Sequence, residues 1–216
     1  PNVLAFFYVR YENCIVFLCF FLQKSLPLHA KDKTMRYFIT LSYDGTPYHG
    51  WQIQPNGISV QEVLQKGLST ILRKDIEVVG AGRTDTGVHA RTMVAHFDFD
   101  LQLDCPQTVY RLNRIMPPTI AIRKMEWVSD DMHARFSAKS RTYHYFIHTE
   151  KNPFMRHYSY RTPYALDFDM MNKAAEILME YDDFGAFCKS NSDAKTTICH
   201  VTAARWHQVD DTSWYF

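Results

Sequence analysis

The sequence predicts an α+β fold, and three observations carry that prediction. Apolar residues alternate with polar ones in several short stretches, the period of a strand with one buried face. Between these stretches lie apolar residues spaced three and four apart, the period of a helix packed along one side. The succession of strands and helices then begins again in the second half of the chain, which argues for two successive units with a cleft between them.

The elements follow in order. Tyr37, Ile39, Leu41 and Tyr43 alternate with Phe38, Thr40 and Ser42, a strand with one strongly apolar face. Ser59 with Glu62 three residues later has the spacing of a capping box, and Val60, Val63, Leu64, Leu68, Ile71 and Leu72 form one helical stripe. Residues 76–81 and 92–99 read as further strands, the second alternating Met93, Ala95, Phe97 and Phe99 against polar neighbours. A connection over 100–106 leads to a short helix over 108–115, stopped by Pro117 and Pro118. Strands are predicted over 120–128 and 142–149. Asp167 caps a helix with inner face Phe168, Met171, Ala175 and Leu178, and 197–206 reads as a late strand. The resulting organisation is an extension over 1–34, an N-terminal half over 35–104 and a C-terminal half over 105–216.

One string stands out against this background: Gly82, Arg83, Thr84, Asp85, Thr86, Gly87, Val88, His89 and Ala90. It joins two predicted strands, so Asp85 sits on a turn at a sheet's edge. Glycines at both ends allow tight or close-approach backbone, and a loop on a rigid scaffold is where reactive groups tend to sit. Arg83 beside Asp85 favours the ionised carboxylate and has donors left for a phosphate. Taken by itself the string also fits an Asx-turn, with Thr84 and Asp85 satisfying backbone amides.

Several separate segments share a resemblance. Tyr43, Asp44, Gly45, Thr46, Tyr48, Gly50, Trp51, Gln52 and Gln54, then Ser59, Val60, Gln61, Glu62 and Leu64, precede the string. Ala134, Arg135, Phe136, Ser137 and Ala138, then Arg141, Tyr143 and Tyr145, follow it, with Asp183, Phe184 and Phe187 further on. Together, over roughly residues 35 to 216, they resemble the tRNA pseudouridine synthase A family. The resemblance implies two ferredoxin-like (RRM-like) halves with joined antiparallel sheets and a central active-site cleft. It implies a homodimer that acts without cofactor or metal on uridines at positions 38 to 40 of the tRNA anticodon stem-loop. Asp85 is then the essential residue, attacking ribose C1′ or acting on the base. The nucleotide is extruded from its helix to reach it. Arg83 holds Asp85 ionised and takes the contact left behind. Tyr143 offers a ring to pack on uracil and a hydroxyl to relay the proton leaving C5, and Arg135, Lys139 and Arg141 track phosphates.

Other residues have duller readings. Tyr145 packs; His89 bonds the loop backbone; Trp51 and Phe136 are core aromatics. His144 and His148 suggest a metal pair, but in a strand four residues span about 13 Å, too far for one ion. Asp44 is explained by its turn, which weakens a rival reading as a two-carboxylate glycosidase. A second rival is a catalytically silent RNA-binding module of the same fold.

Composition sets the remaining limits. The 216 residues carry a formal net charge of only +1, so any nucleic-acid surface is local. Between Leu103 and Arg161 there are ten Lys or Arg against five acids, a basic region that also fits a solvated charged face. Five cysteines without paired spacing argue against a disulfide set or zinc site and favour a reducing cytoplasm. The apolar run Ile15 to Leu22 is too short to span a bilayer, so no membrane partner is expected. Residues 1–34 are expected to be upstream sequence, with Met35 a natural start. The chain is expected to be a fragment lacking a C-terminal part and, as such, poorly soluble or inactive.

Overall fold

The computed structural model describes residues 5–10, 34–188 and 196–216. The chain divides into two compact units, one extending to Tyr143 and the other beginning at His144. The first unit contains β1 (Ala5–Arg10), β2 (Met35–Tyr43), α1 (Val60–Leu72), β3 (Val79–Gly80), β4 (His89–Phe99), α2 (Cys105–Ile115) and β5 (Ile120–Val128). β2 lies between β4 and β5, antiparallel to both, with Ile39 opposite Ala95 on one side and Met125 on the other. β3 adds antiparallel to the outer side of β4, and β1 adds parallel at Phe6 and Phe7. From β2 onward the order is strand, helix, strand, strand, helix, strand.

The predicted alternation in β2 is borne out: Tyr37, Ile39, Leu41 and Tyr43 are buried. They pack with Met93, Ala95 and Phe97 of β4, Val60, Leu64 and Leu68 of α1, and Leu112 of α2. Ser59 caps α1, its Oγ accepting from the Glu62 amide at 3.2 Å. The opposite face is not open to water either. Phe38 and His96 are buried there, because the segment after β5 folds back and places fully buried Ala134 over His96.

Several boundaries differ from expectation, each for a physical reason. The first unit continues to Tyr143 rather than ending at 104, since β5 pairs with β2 and α2 packs beside β5. α2 begins at Cys105, inside the predicted connection. Asp104 caps it, accepting from the Gln107 amide at 3.0 Å, and Pro106 falls in the first turn, where its missing N–H costs nothing. β3 is only two residues because α1 side chains take the neighbouring backbone groups. Ser69 Oγ accepts from Ile76, and Gln65 Oε1 accepts from Val78.

The second unit has β6 (Ser140–His148, starting in the first unit), β7 (Tyr160–Arg161), α3 (Phe168–Leu178), a single 3-10 turn (Gly185–Phe187), β8 (His207–Asp210) and β9 (Ser213–Tyr215). β9 is antiparallel to both β6 and β8, and β7 runs parallel to β6. α3 packs through Phe168, stacked 4.3 Å from the Trp214 ring. Residues 197–206 do not form the predicted strand. Only Ile198 makes a bridge, to Asp183, and the strand proper begins at His207. The apolar run Ile15 to Leu22, with Cys14 and Cys19, lies outside the described residues. Among the described residues no helix is long and apolar enough to cross a membrane.

Candidate active site

The Asp85 loop runs from the end of β3 to the start of β4 and is anchored from inside. Thr84 is buried, its hydroxyl 2.9 Å from the Tyr43 hydroxyl and its carbonyl accepting from the Trp51 amide at 3.0 Å. Burial pushes the Tyr43 phenol above its ordinary range, so it stays a neutral hydrogen-bonding partner. Gly50 sits at φ +86°, and a β-carbon there would lie 2.3 Å from the Thr84 oxygen. Gly87 turns the far end at φ +80°, with the Val88 amide donating to the Asp85 carbonyl. His89, 2% exposed, has Nδ1 3.2 Å from the Gly45 amide and 3.0 Å from Asp44 Oδ1. As a neutral ring it accepts from the amide; as a cation it donates to the carboxylate. With Thr84 turned inward, Arg83 and Asp85 on either side face solvent.

Two pockets flank this loop. One of about 320 Å³ is lined by Arg83, Thr84, Asp85 and Thr86 from the loop and by His49, Gln52, Ile53 and Gln54 from the β2–α1 connection. That connection is itself held. Gln54 donates to the His49 carbonyl, and Gln61 of α1 accepts from the Ile53 amide while donating to the Val78 carbonyl. The other pocket, about 550 Å³, lies beyond Arg83 and includes Trp51, Gly80, Arg135, Phe136 and Arg141. Arg83 and Gln52 line both.

The wall carrying Arg135 and Phe136 is docked on the sheet by polar contacts, of which the one at His96 is buried. Arg36 pairs with Asp98 through two 2.8 Å bonds and also donates to the Asp130 and Met132 carbonyls. His96 Nδ1 accepts from the Ala134 amide at 3.2 Å, and His133 Nδ1 accepts from the Arg135 amide at 3.1 Å. Burial, reinforced by the Arg36 cation and His133 and opposed by Asp98, pushes the His96 pKa down to about 4. The neutral ring is therefore the acceptor that the amide needs. Arg141 Nη2 donates to the carbonyls of Ala81 (2.9 Å) and Arg135 (2.7 Å), tying the base of the Asp85 loop to this wall.

A family model described as tRNA pseudouridine synthase matches residues 39–144, the span that builds both pockets. A protein named tRNA pseudouridine synthase A from Bacteroides thetaiotaomicron is 55% identical over 183 residues, 84% of this chain and 68% of its own length. One of the same name from Bacteroides fragilis is 56% identical over 84% of this chain and 72% of its own. One from Bacillus subtilis is 40% identical over 82% and 73%. The chain belongs to the tRNA pseudouridine synthase family.

In this tRNA pseudouridine synthase the predicted site residues separate into groups. Arg83 and Asp85 share the smaller pocket; Arg83, Arg135 and Arg141 share the larger. Lys139 is exposed, and Tyr143, 54% exposed on β6, lines neither. Arg141, expected to track phosphates, spends one guanidinium nitrogen on backbone carbonyls. Trp51 is a core aromatic as expected, at 3% exposed, but Phe136 is not. It is 74% exposed, its ring 4.4 Å from His133 and with the Arg135 guanidinium 5.7 Å from its centre. Asp44 accepts from the Thr46 amide and hydroxyl as well as facing His89, so its turn does explain it. His144 and His148 lie on the strand β6, and the His148 ring meets the Ser159 hydroxyl. Sequence reasoning missed His49 as a pocket residue and Arg36, His96 and His133 as the supports of the wall, since none carries a local motif.

Proposed function

We propose that this isomerase acts on uridines of the tRNA anticodon stem-loop, at positions 38 to 40, with Asp85 as the nucleophile. The observation that carries the reading is the exposed Asp85 carboxylate beside Arg83 in a pocket of about 320 Å³, on a loop whose neighbouring residue Thr84 is anchored in the core. The volume falls in the range of pockets that take small organic groups, and such rigid presentation suits a group that must meet its target in one geometry.

In the proposed reaction the uridine leaves its stack and enters this pocket. The Asp85 carboxylate attacks C1′, the C1′–N1 bond breaks, and the electron pair leaves with uracil N1. The base turns, C5 attacks C1′ and displaces Asp85; the proton on C5 is lost and N1 gains one. Atoms and charge balance without an oxidant or co-substrate. Tyr143 relays the C5 proton and Arg83 holds the phosphate beside the target, while Arg135, Lys139 and Arg141 attract the backbone. The strand and helix order of the first unit supports a ferredoxin-like half. The proposal includes a second such half with joined sheets, a central cleft, a homodimer and a cytoplasmic location.

The test is to incubate the chain with unmodified tRNA and map isomerised bases. Product at positions 38 to 40, abolished by Asp85→Ala with tRNA affinity kept within a few-fold, is the expected result. An Asp85→Ala chain that still forms pseudouridine would overturn the nucleophile. tRNA binding without any product from the unaltered chain would favour a silent RNA-binding module.

A further inference from the structure

We propose that the larger pocket, on the other side of Arg83, takes the nucleotide that adjoins the isomerised uridine, with its base laid on Phe136. The inference deepens the proposed function and rests on the uridine entering the Asp85 pocket. Three observations carry it.

The first is Phe136 itself. A phenylalanine 74% exposed, whose ring touches His133 and lies near the Arg135 guanidinium, leaves most of its apolar surface in water. Such a ring beside a cation is the platform on which single-stranded nucleic acid stacks, because every base presents a π-face to it.

The second is charge. Arg83, Arg135 and Arg141 line this pocket and no carboxylate does, so its field suits a phosphodiester rather than a cationic or neutral ligand. The volume of about 550 Å³ leaves room for a base and its sugar.

The third is continuity with the first pocket. Arg83 and Gln52 line both, so one guanidinium stands where the phosphate joining two successive nucleotides would pass. The wall is also preformed. Arg36 holds the Asp130 and Met132 carbonyls, His96 the Ala134 amide, and Arg141 the Arg135 carbonyl. Gly80 keeps the Trp51 edge in place, since a β-carbon there would come within 2.4 Å of the indole.

The experiment uses the whole chain, unmodified tRNA, and tRNAs carrying fluorescent 2-aminopurine on either side of the mapped target uridine. Phe136→Ala is expected to weaken tRNA binding by about 5- to 100-fold, and Phe136→Tyr to bind like the parent. Quenching of 2-aminopurine at one of the two flanking positions is expected in the parent and in Phe136→Tyr, and its loss in Phe136→Ala at saturating protein. Unchanged melting temperature of Phe136→Ala separates lost stacking from lost folding. Parent-like affinity of Phe136→Ala, or quenching that persists in it, overturns the pocket assignment. Absence of pseudouridine from the parent strikes the underlying functional reading instead, whereas product with unaltered Phe136→Ala affinity strikes this pocket alone.

Discussion

Gly50 and Thr84 together decide how the Asp85 loop sits. Any β-carbon at Gly50 enters the space of the Thr84 carbonyl, at a backbone angle that L side chains avoid. Gly50→Ala is therefore expected to cost more than about 1 kcal/mol of stability and to lower turnover, measured by thermal melting and product formation. Thr84→Val keeps the shape but leaves the buried Tyr43 hydroxyl without its partner. About 1–3 kcal/mol is the expected loss, read in the same melt.

His96 supplies a pH dependence with a definite sign. Its pKa in the folded protein, about 4, lies below the ordinary 6.5, so below neutrality the unfolded chain takes up the proton first. This stabilising contribution is complete above about pH 7, declines as pH falls through 6.5, and is gone near pH 4. Its full size is at most about 3 kcal/mol. Melting temperature against pH is expected to fall through that window in the parent and to flatten in His96→Asn; an equally steep profile in the variant would refute the assignment.

At the scale of elements, packing decides what local pattern leaves open. Ser59 caps α1, and Ser59→Ala is expected to cost about 1 kcal/mol with little effect on turnover, because the capping site lines neither pocket. Arg141 is different, since one nitrogen joins the base of the Asp85 loop to the Phe136 wall. A lysine ammonium is a more strongly hydrated point charge on a flexible stem, less fixed in place to hold both carbonyls. Arg141→Lys is expected to lower turnover more than stability, which parallel melting and single-turnover measurements would reveal. The helix stripes, the Ser59 and Asp167 caps and the long strands were legible because each is a property of neighbouring residues. The shortness of β3 was not, since it depends on Ser69 and Gln65 of α1 reaching across to Ile76 and Val78.

For the whole molecule, a net charge of +1 means that attraction to RNA depends on where the cations lie. Arg83, Arg135 and Arg141 converge on one pocket although 58 residues separate the first from the last. tRNA affinity is expected to fall as salt rises. Arg135→Ala is expected to reduce the slope of log affinity against log salt by about one, measured by titration across salt concentrations; an unchanged slope would remove Arg135 from the phosphate contacts.

The sequence by itself determined the α+β class, the helices and the long strands of the first unit from β2 onward, the turn that presents Asp85, and the family to which those motifs belong. All are written in spacings of a few residues, where backbone geometry and the alternation of apolar side chains act locally. Only the tertiary structure decided that α2 and β5 complete the first unit, that Phe136 faces water, and that Arg36, His96 and Arg141 brace the wall beside Asp85. Those outcomes depend on which groups find partners far along the chain, and no local pattern contains that information.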